Sequence, residues 1–119
     1  MNSKMENVKS ANIGLSSHVP QLLIGLFNKY NWVLSTNKCY QDEIVFKYKS
    51  PNQEPKRESN KSDWYIYISK VENKYYISIP LKTLGYNMKI YCGDASENKT
   101  MYYTIYDILE EKLQYLRDV

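Results

Sequence analysis

The segment from Trp64 to Leu81 constrains the fold most, because its residues alternate in kind along almost its whole length. Trp64, Ile66 and Ile68 fall on one parity, and Tyr65, Tyr67 and Ser69 on the other. After Glu72-Asn73, Tyr75, Ile77, Ile79 and Leu81 alternate with Tyr76, Ser78 and Pro80. Successive side chains of a strand point to opposite faces, so each half has one aliphatic face and one polar, tyrosine-bearing face. The pattern predicts a β-hairpin broken at Glu72-Asn73, with one side on a core and the other open to water or a partner.

Two further strands follow from the same reasoning. Between Glu43 and Lys49, Ile44, Phe46 and Tyr48 alternate with Val45, Lys47 and Lys49; between Tyr86 and Cys92, Tyr86, Met88, Ile90 and Cys92 share one parity. Trp32-Val33-Leu34 fits a short additional strand. At the N-terminal side, Val19, Leu22, Leu23, Leu26, Phe27 and Tyr30 recur at helical spacing, predicting a helix over 18–31 capped by Ser17. At the C-terminal side, Ile105, Ile108, Leu109, Leu113 and Leu116 predict a helix over 105–117, with Thr104 as a capping residue. In that frame Asp107, Glu110 and Glu111 come early and suit the helix dipole, a short strand at Met101–Tyr103 precedes them, and 93–99 is a polar loop. The expected fold class is α+β. It is a four- to five-stranded antiparallel sheet flanked by N- and C-terminal helices in the order α-β-β-β-β-α, the helices packed on one face. They should cover Ile44, Phe46, Trp64, Ile66, Ile68, Ile77, Ile79, Met88 and Ile90.

A chain of 119 residues fits one domain. Residues 1–16 lack periodicity and read as a flexible arm, leaving 17–119 as the α+β domain. Residues 50–62, SPNQEPKRESNKS, carry two prolines and almost nothing apolar, and read as a long loop. No apolar run is long enough to span a bilayer and no secretory leader is visible, so an intracellular location is expected and a membrane is not. Cys39 and Cys92 lack CxxC spacing and read as reduced thiols rather than a bridge.

Catalytic signatures are missing. The single histidine, His18, falls at the start of the first helix without partners and reads as a surface residue. No zinc-protease, nucleophile-elbow, phosphate-loop or dinucleotide motif occurs. Asp42 and Glu43 would point to opposite sides of a strand, and Asp94 with Glu97 is too sparse for calcium. We therefore expect no enzyme, no cofactor and no metal.

Composition adds one signal. Lysine, asparagine, isoleucine and tyrosine are abundant while alanine and arginine are scarce. That bias follows AT-rich codons and points to an AT-rich genome, such as that of a virus, phage, mobile element or microbe. Codon bias does not explain 13 tyrosines against 2 phenylalanines. Rings with an apolar body and a polar tip suit half-exposed sheets and interfaces. Tyr65, Tyr67, Tyr76 and Tyr91 share the outward parity with Lys47, Lys49 and Lys89, and Lys56 and Arg57 lie in the loop. These nine residues are the candidate partner-binding set. A protein partner, including a second copy of the chain, is the first reading. Single-stranded nucleic acid on the same Tyr/Lys face is the alternative, because rings stack on bases and ammonium groups meet phosphates. A net charge of +3 and a pI near 8.7 are mild for that alternative.

Overall fold

The computed structural model describes residues 14–36, 39–49, 64–81 and 86–117. A short 3-10 turn at Leu15–Ser17 leads into helix α1, Gln21–Lys29. Five strands follow: β1 Trp32–Leu34, β2 Glu43–Tyr48, β3 Tyr65–Val71, β4 Lys74–Leu81 and β5 Tyr86–Asp94. Helix α2, Asn98–Arg117, closes the order. The strands form one antiparallel meander, β1-β2-β3-β4-β5, each paired with its sequence neighbour. This is the expected α+β class, with β1 as the fifth strand.

The alternation sets the register. On the core side Ile44, Ile68, Ile77 and Ile90 stand opposite one another across four strands, and Leu34, Phe46 and Ile66 form the neighbouring row. Ile44, Phe46, Ile66, Ile68 and Ile77 are wholly buried, and Ile79 nearly so. A slip of one residue would turn each strand's aliphatic set into water, which is why pairing is well specified. Trp64, Met88 and Ile90, also expected in the core, are only half-buried, since Trp64 precedes β3 and β5 is the last strand. The hairpin breaks where expected: Glu72 and Asn73 form a two-residue turn, with Glu72 at φ 59°.

Helix α1 is shorter than its apolar spacing suggests. Ser17 does not cap it. Its hydroxyl donates to the Gly14 carbonyl at 2.8 Å within the 3-10 turn, and Pro20 takes the cap position, its carbonyl accepting from Leu23 and Ile24. Leu15 is buried in the core and the Ser16 N–H donates to Gln41 O, so the stretch from Gly14 belongs to the packed domain rather than to the arm. The rest of that arm, residues 1–13, lies outside the described residues.

Helix α2 starts about two turns earlier than expected. Met101 and Tyr102 continue the buried stripe of Ile105, Leu109 and Leu113 backward, so they are helical and not a strand. Thr104 is an exposed mid-helix residue rather than a cap. Asp107, Glu110 and Glu111 fall in the middle of the helix, and its first turn carries no acid, so the dipole argument does not apply to them. Strand β5 likewise runs on to Asp94, which shortens the expected loop.

In the core Phe27 stacks on Phe46 with ring centroids 3.7 Å apart, and Trp32 meets Phe27 edge-on. The Tyr75 hydroxyl, in β4, donates to Asn98 Oδ1 at 2.7 Å and ties the sheet to the start of α2. Tyr102 is buried and its hydroxyl lies 3.3 Å from the carbonyls of Leu15 and His18, tying α2 to the N-terminal turn. Burial, then the neighbouring Tyr75, pushes this phenol up to about 12.

Candidate interface on the tyrosine face

The register arranges the outward side chains in three rows. Val33, Lys47 and Tyr65 form one; Val45, Tyr67, Ser78 and Lys89 the next; Glu43, Ser69, Tyr76 and Tyr91 the third. The four candidate tyrosines are thus brought onto one face but gather as two pairs. Tyr65 and Tyr67, two apart on β3, have ring centroids 6.3 Å apart. Tyr76 and Tyr91, opposite each other on β4 and β5, are 5.5 Å apart. Both are tilted ring pairs, between stacked and edge-on, at centroid distances within the range of aromatic contacts.

Between the pairs stand two small side chains, Ser69 and Ser78. Ser69 Oγ lies 3.4 Å from Glu43 Oε2, and Asn87 Nδ2 donates to Ser78 Oγ at 3.1 Å. The face therefore has two aromatic ridges with a low, hydrogen-bonded serine floor between them. The pattern of small against large residues was in the sequence, but only the register shows that the serines fall between the ridges.

Tyr65, Tyr67 and Tyr76 are half-buried rather than largely exposed, since each ring leans on a neighbour; Tyr91 is the exposed one, at 55%. Val45 shares their side and is fully buried, although parity alone makes it an outward residue. Tyr67 stands directly opposite it, and the chain leaving β1 closes on its backbone: Ser35 N–H donates to the Val45 carbonyl, and the Val45 N–H lies 3.3 Å from Cys39 Sγ. Nothing in the residue pattern marks Cys39 as the side chain that closes on β2 beyond the short β1 edge.

Lys89 Nζ sits 4.8 Å from the centroid of the Tyr76 ring, a cation–π distance. Lys47 stands opposite Tyr65 and Lys49 is exposed just past β2, its N–H donating to the Asn31 carbonyl. At the hairpin end Lys74 and Asp94 form an exposed ion pair at 3.1 Å, which raises the Lys74 pKa through the hydrogen bond and charge of Asp94. Lys56 and Arg57, with the whole of 50–62, lie outside the described residues.

Cys39 and Cys92 are both free. Cys39 contacts β2 and Cys92 is in β5, three strand spacings away, on the order of 14 Å. That is beyond the reach of a disulfide. Burial pushes the Cys92 thiol up to about 11. His18 is exposed, and no group of three or more potential metal ligands occurs among the described residues. No helix among them is long and apolar enough to cross a membrane.

Compared with family models, curated proteins and solved structures, the chain matches none.

Proposed function

We propose that this chain is a small non-enzymatic binding module that takes a protein partner on the tyrosine face of its sheet. The observation that carries this reading is the two-ridge surface: Tyr65–Tyr67 and Tyr76–Tyr91 flank Ser69 and Ser78 on the side of the sheet opposite the core. Rings already leaning on their neighbours lose little conformational freedom on binding, and tyrosine is enriched among interface anchors. The spaced, unbridgeable cysteines support an intracellular setting, and the residue usage supports an AT-rich genome as the source.

Single-stranded nucleic acid on the same face is the second reading, favoured by Lys47 and Lys89 beside the rings. Base stacking needs an open ring face. Tyr76 already has an ammonium 4.8 Å from its centroid and Tyr91 leaning on it, so a base would have to displace one of them. This ranks the protein partner first.

The test is affinity capture from the native host with and without nuclease, using wild type, Tyr76→Ser and Tyr91→Ser. The expected result is a nuclease-insensitive partner that weakens by more than about 1 kcal/mol with either substitution while the melting temperature holds. Tyr67→Ser is less clean, since it uncovers Val45. Capture lost on nuclease treatment, with oligonucleotide binding that falls steeply with salt, would replace this reading by the nucleic-acid one.

A further inference from the structure

The two edges of the sheet differ sharply. β1 is three residues long, whereas β5 runs nine residues from Tyr86 to Asp94. On its inner side β5 pairs with β4 along its whole length, with one irregularity where Tyr75 and Tyr76 face Gly93 and Tyr91. On its outer side no main-chain hydrogen bond to another element occurs among the described residues. A long open edge is a template for another strand, and soluble proteins blunt or cover such edges. A second observation concerns the same strand. Its core-side residues Met88, Ile90 and Cys92 are only half-buried, while their counterparts Ile68 and Ile77 on the inner strands are fully covered.

We propose that β5 pairs antiparallel with β5 of a second copy about a two-fold axis through Ile90, giving a closed dimer with a continuous ten-stranded sheet. The strand is complementary to itself in this register. Ile90 is its midpoint, so Lys89, Ile90 and Tyr91 pair regularly with their counterparts, and the irregularity at Cys92 falls symmetrically at either end, opposite Met88. On the core side Ile90 meets Ile90 of the copy, and Met88 meets Cys92, so the half-buried apolar residues cover one another. On the tyrosine side Lys89 meets Tyr91 of the copy twice, adding an aromatic ring to a lysine that already sits over Tyr76. No like charges stand opposite. A register shifted by one residue, centred on Lys89, would set two ammonium groups against each other, which is unfavourable. Because the contact uses the same strand on both copies, it closes as a dimer; β1, at three residues, is too short to extend the sheet further. The axis is perpendicular to the sheet, so the tyrosine faces join into one surface. The dimer does not rest on the binding reading above and stands even if that face takes no partner.

The experiment is sedimentation equilibrium of the full chain over roughly micromolar to millimolar concentrations, for wild type and two charge variants. Tyr91 is 55% exposed, so Tyr91→Lys should fold, as circular dichroism will check. It sets like charges opposite each other at two symmetric places and should weaken the dimer on the order of tenfold. The double variant Lys89→Glu with Tyr91→Lys places opposite charges there and should restore it. Ile90→Cys, in a background of Cys39→Ser and Cys92→Ser, should cross-link on oxidation, because opposed antiparallel residues sit about 4.5–5.5 Å apart at Cα. Asn87→Cys in the same background should not, its copies being offset by about 20 Å along the strands. A wild-type monomer throughout the range overturns the proposal. So does a dimer indifferent to the charge pair, which would place the contact on another surface. Should Ile90→Cys fail to fold, the charge variants still decide.

Discussion

The hydrogen bond between Tyr75 and Asn98 lends itself to a double-mutant cycle, because the two ends sit in different surroundings. Tyr75 is fully buried, and its hydroxyl donates to Asn98 Oδ1 at 2.7 Å. Asn98 is half-buried, and the same oxygen also accepts from Lys70 Nζ at 3.1 Å. Lys70 Nζ in turn lies 5.4 Å from the centroid of the Tyr75 ring. Removing the asparagine leaves a buried hydroxyl with no partner, which costs about 1–3 kcal/mol. Removing the hydroxyl by Tyr75→Phe loses one bond but leaves Asn98 with Lys70 and access to water, a cost of about 0.5–1.5 kcal/mol. Asn98→Ala should therefore be the more damaging change. The double variant should cost little more than Tyr75→Phe alone, since the orphaned hydroxyl is gone, giving a coupling on the order of 1 kcal/mol.

Urea unfolding followed by tryptophan fluorescence and far-ultraviolet circular dichroism, at one fixed protein concentration, measures all four corners of the cycle. Asn98→Asp provides an internal check. A carboxylate there keeps an acceptor for both donors, Tyr75 and Lys70, and adds a favourable charge at the first turn of α2, so it should hold or raise stability near neutral pH. If the single costs simply add to within about 0.3 kcal/mol, or if Tyr75→Phe proves worse than Asn98→Ala, the two groups are not coupled as argued.

Three further outcomes are expected. Glu72 sits at φ 59° in an exposed two-residue turn, so Glu72→Gly should raise stability by about 1 kcal/mol in the same urea assay, by removing left-handed strain. A side chain at Gly14 would bring Cβ within 2.6 Å of the Gln41 carbonyl carbon and closer still to its oxygen, so Gly14→Ala should cost about 2 kcal/mol or more, because backbone must move. Folding holds the protons of Cys92 and Tyr102 more tightly than the unfolded chain does, at about 11 against an ordinary 9 and about 12 against an ordinary 10. The unfolded chain therefore ionises first, so the stability these two groups contribute is fully present below about 9 and is lost between about 9 and 12, with Tyr102→Phe removing the upper part of the fall.

The parts of the fold legible in the sequence are those governed by a period of two. In β2, β3 and β4 every second residue is aliphatic or aromatic, and Ile44, Phe46, Ile66, Ile68, Ile77 and Ile79 are buried as that period requires. Helix ends were less legible because they depend on partners distant in sequence. Ser17 has the right chemistry for a cap but spends its hydroxyl on Gly14, and α2 begins where Asn98 can meet Tyr75, 23 residues upstream. On the tyrosine face, parity gave the membership of the site and not its relief. That Tyr65 leans on Tyr67, that Tyr76 pairs with Tyr91, and that Val45 lies shielded among outward residues all follow from strand register, which a single chain's pattern does not number.

Register also accounts for part of the unusual excess of tyrosine over phenylalanine. The two phenylalanines are fully buried and stack on each other in the core, where a hydroxyl would have to give up its water. Two of the buried tyrosines have a use for theirs: Tyr75 holds the start of α2, and Tyr102 reaches the carbonyls of Leu15 and His18 in the N-terminal turn. A meander with helices at both ends of the chain has few covalent constraints between those ends and the sheet. Phenolic hydroxyls supply them, bridging α2 to β4 and to the turn before α1 while the ring bodies still fill the core. The outward tyrosines answer a different demand. On β3, β4 and β5 their ring bodies lean on one another and on Lys89. The same residue type thus fastens the inside of the domain and shapes its open face. For that reason Tyr→Phe should be felt as lost stability at Tyr75 and Tyr102, and as changed partner affinity, with stability nearly intact, at Tyr76 and Tyr91. Thermal melts of the four variants beside the capture assay separate the two groups. Equal stability losses at all four positions would show that the outward hydroxyls too are structural.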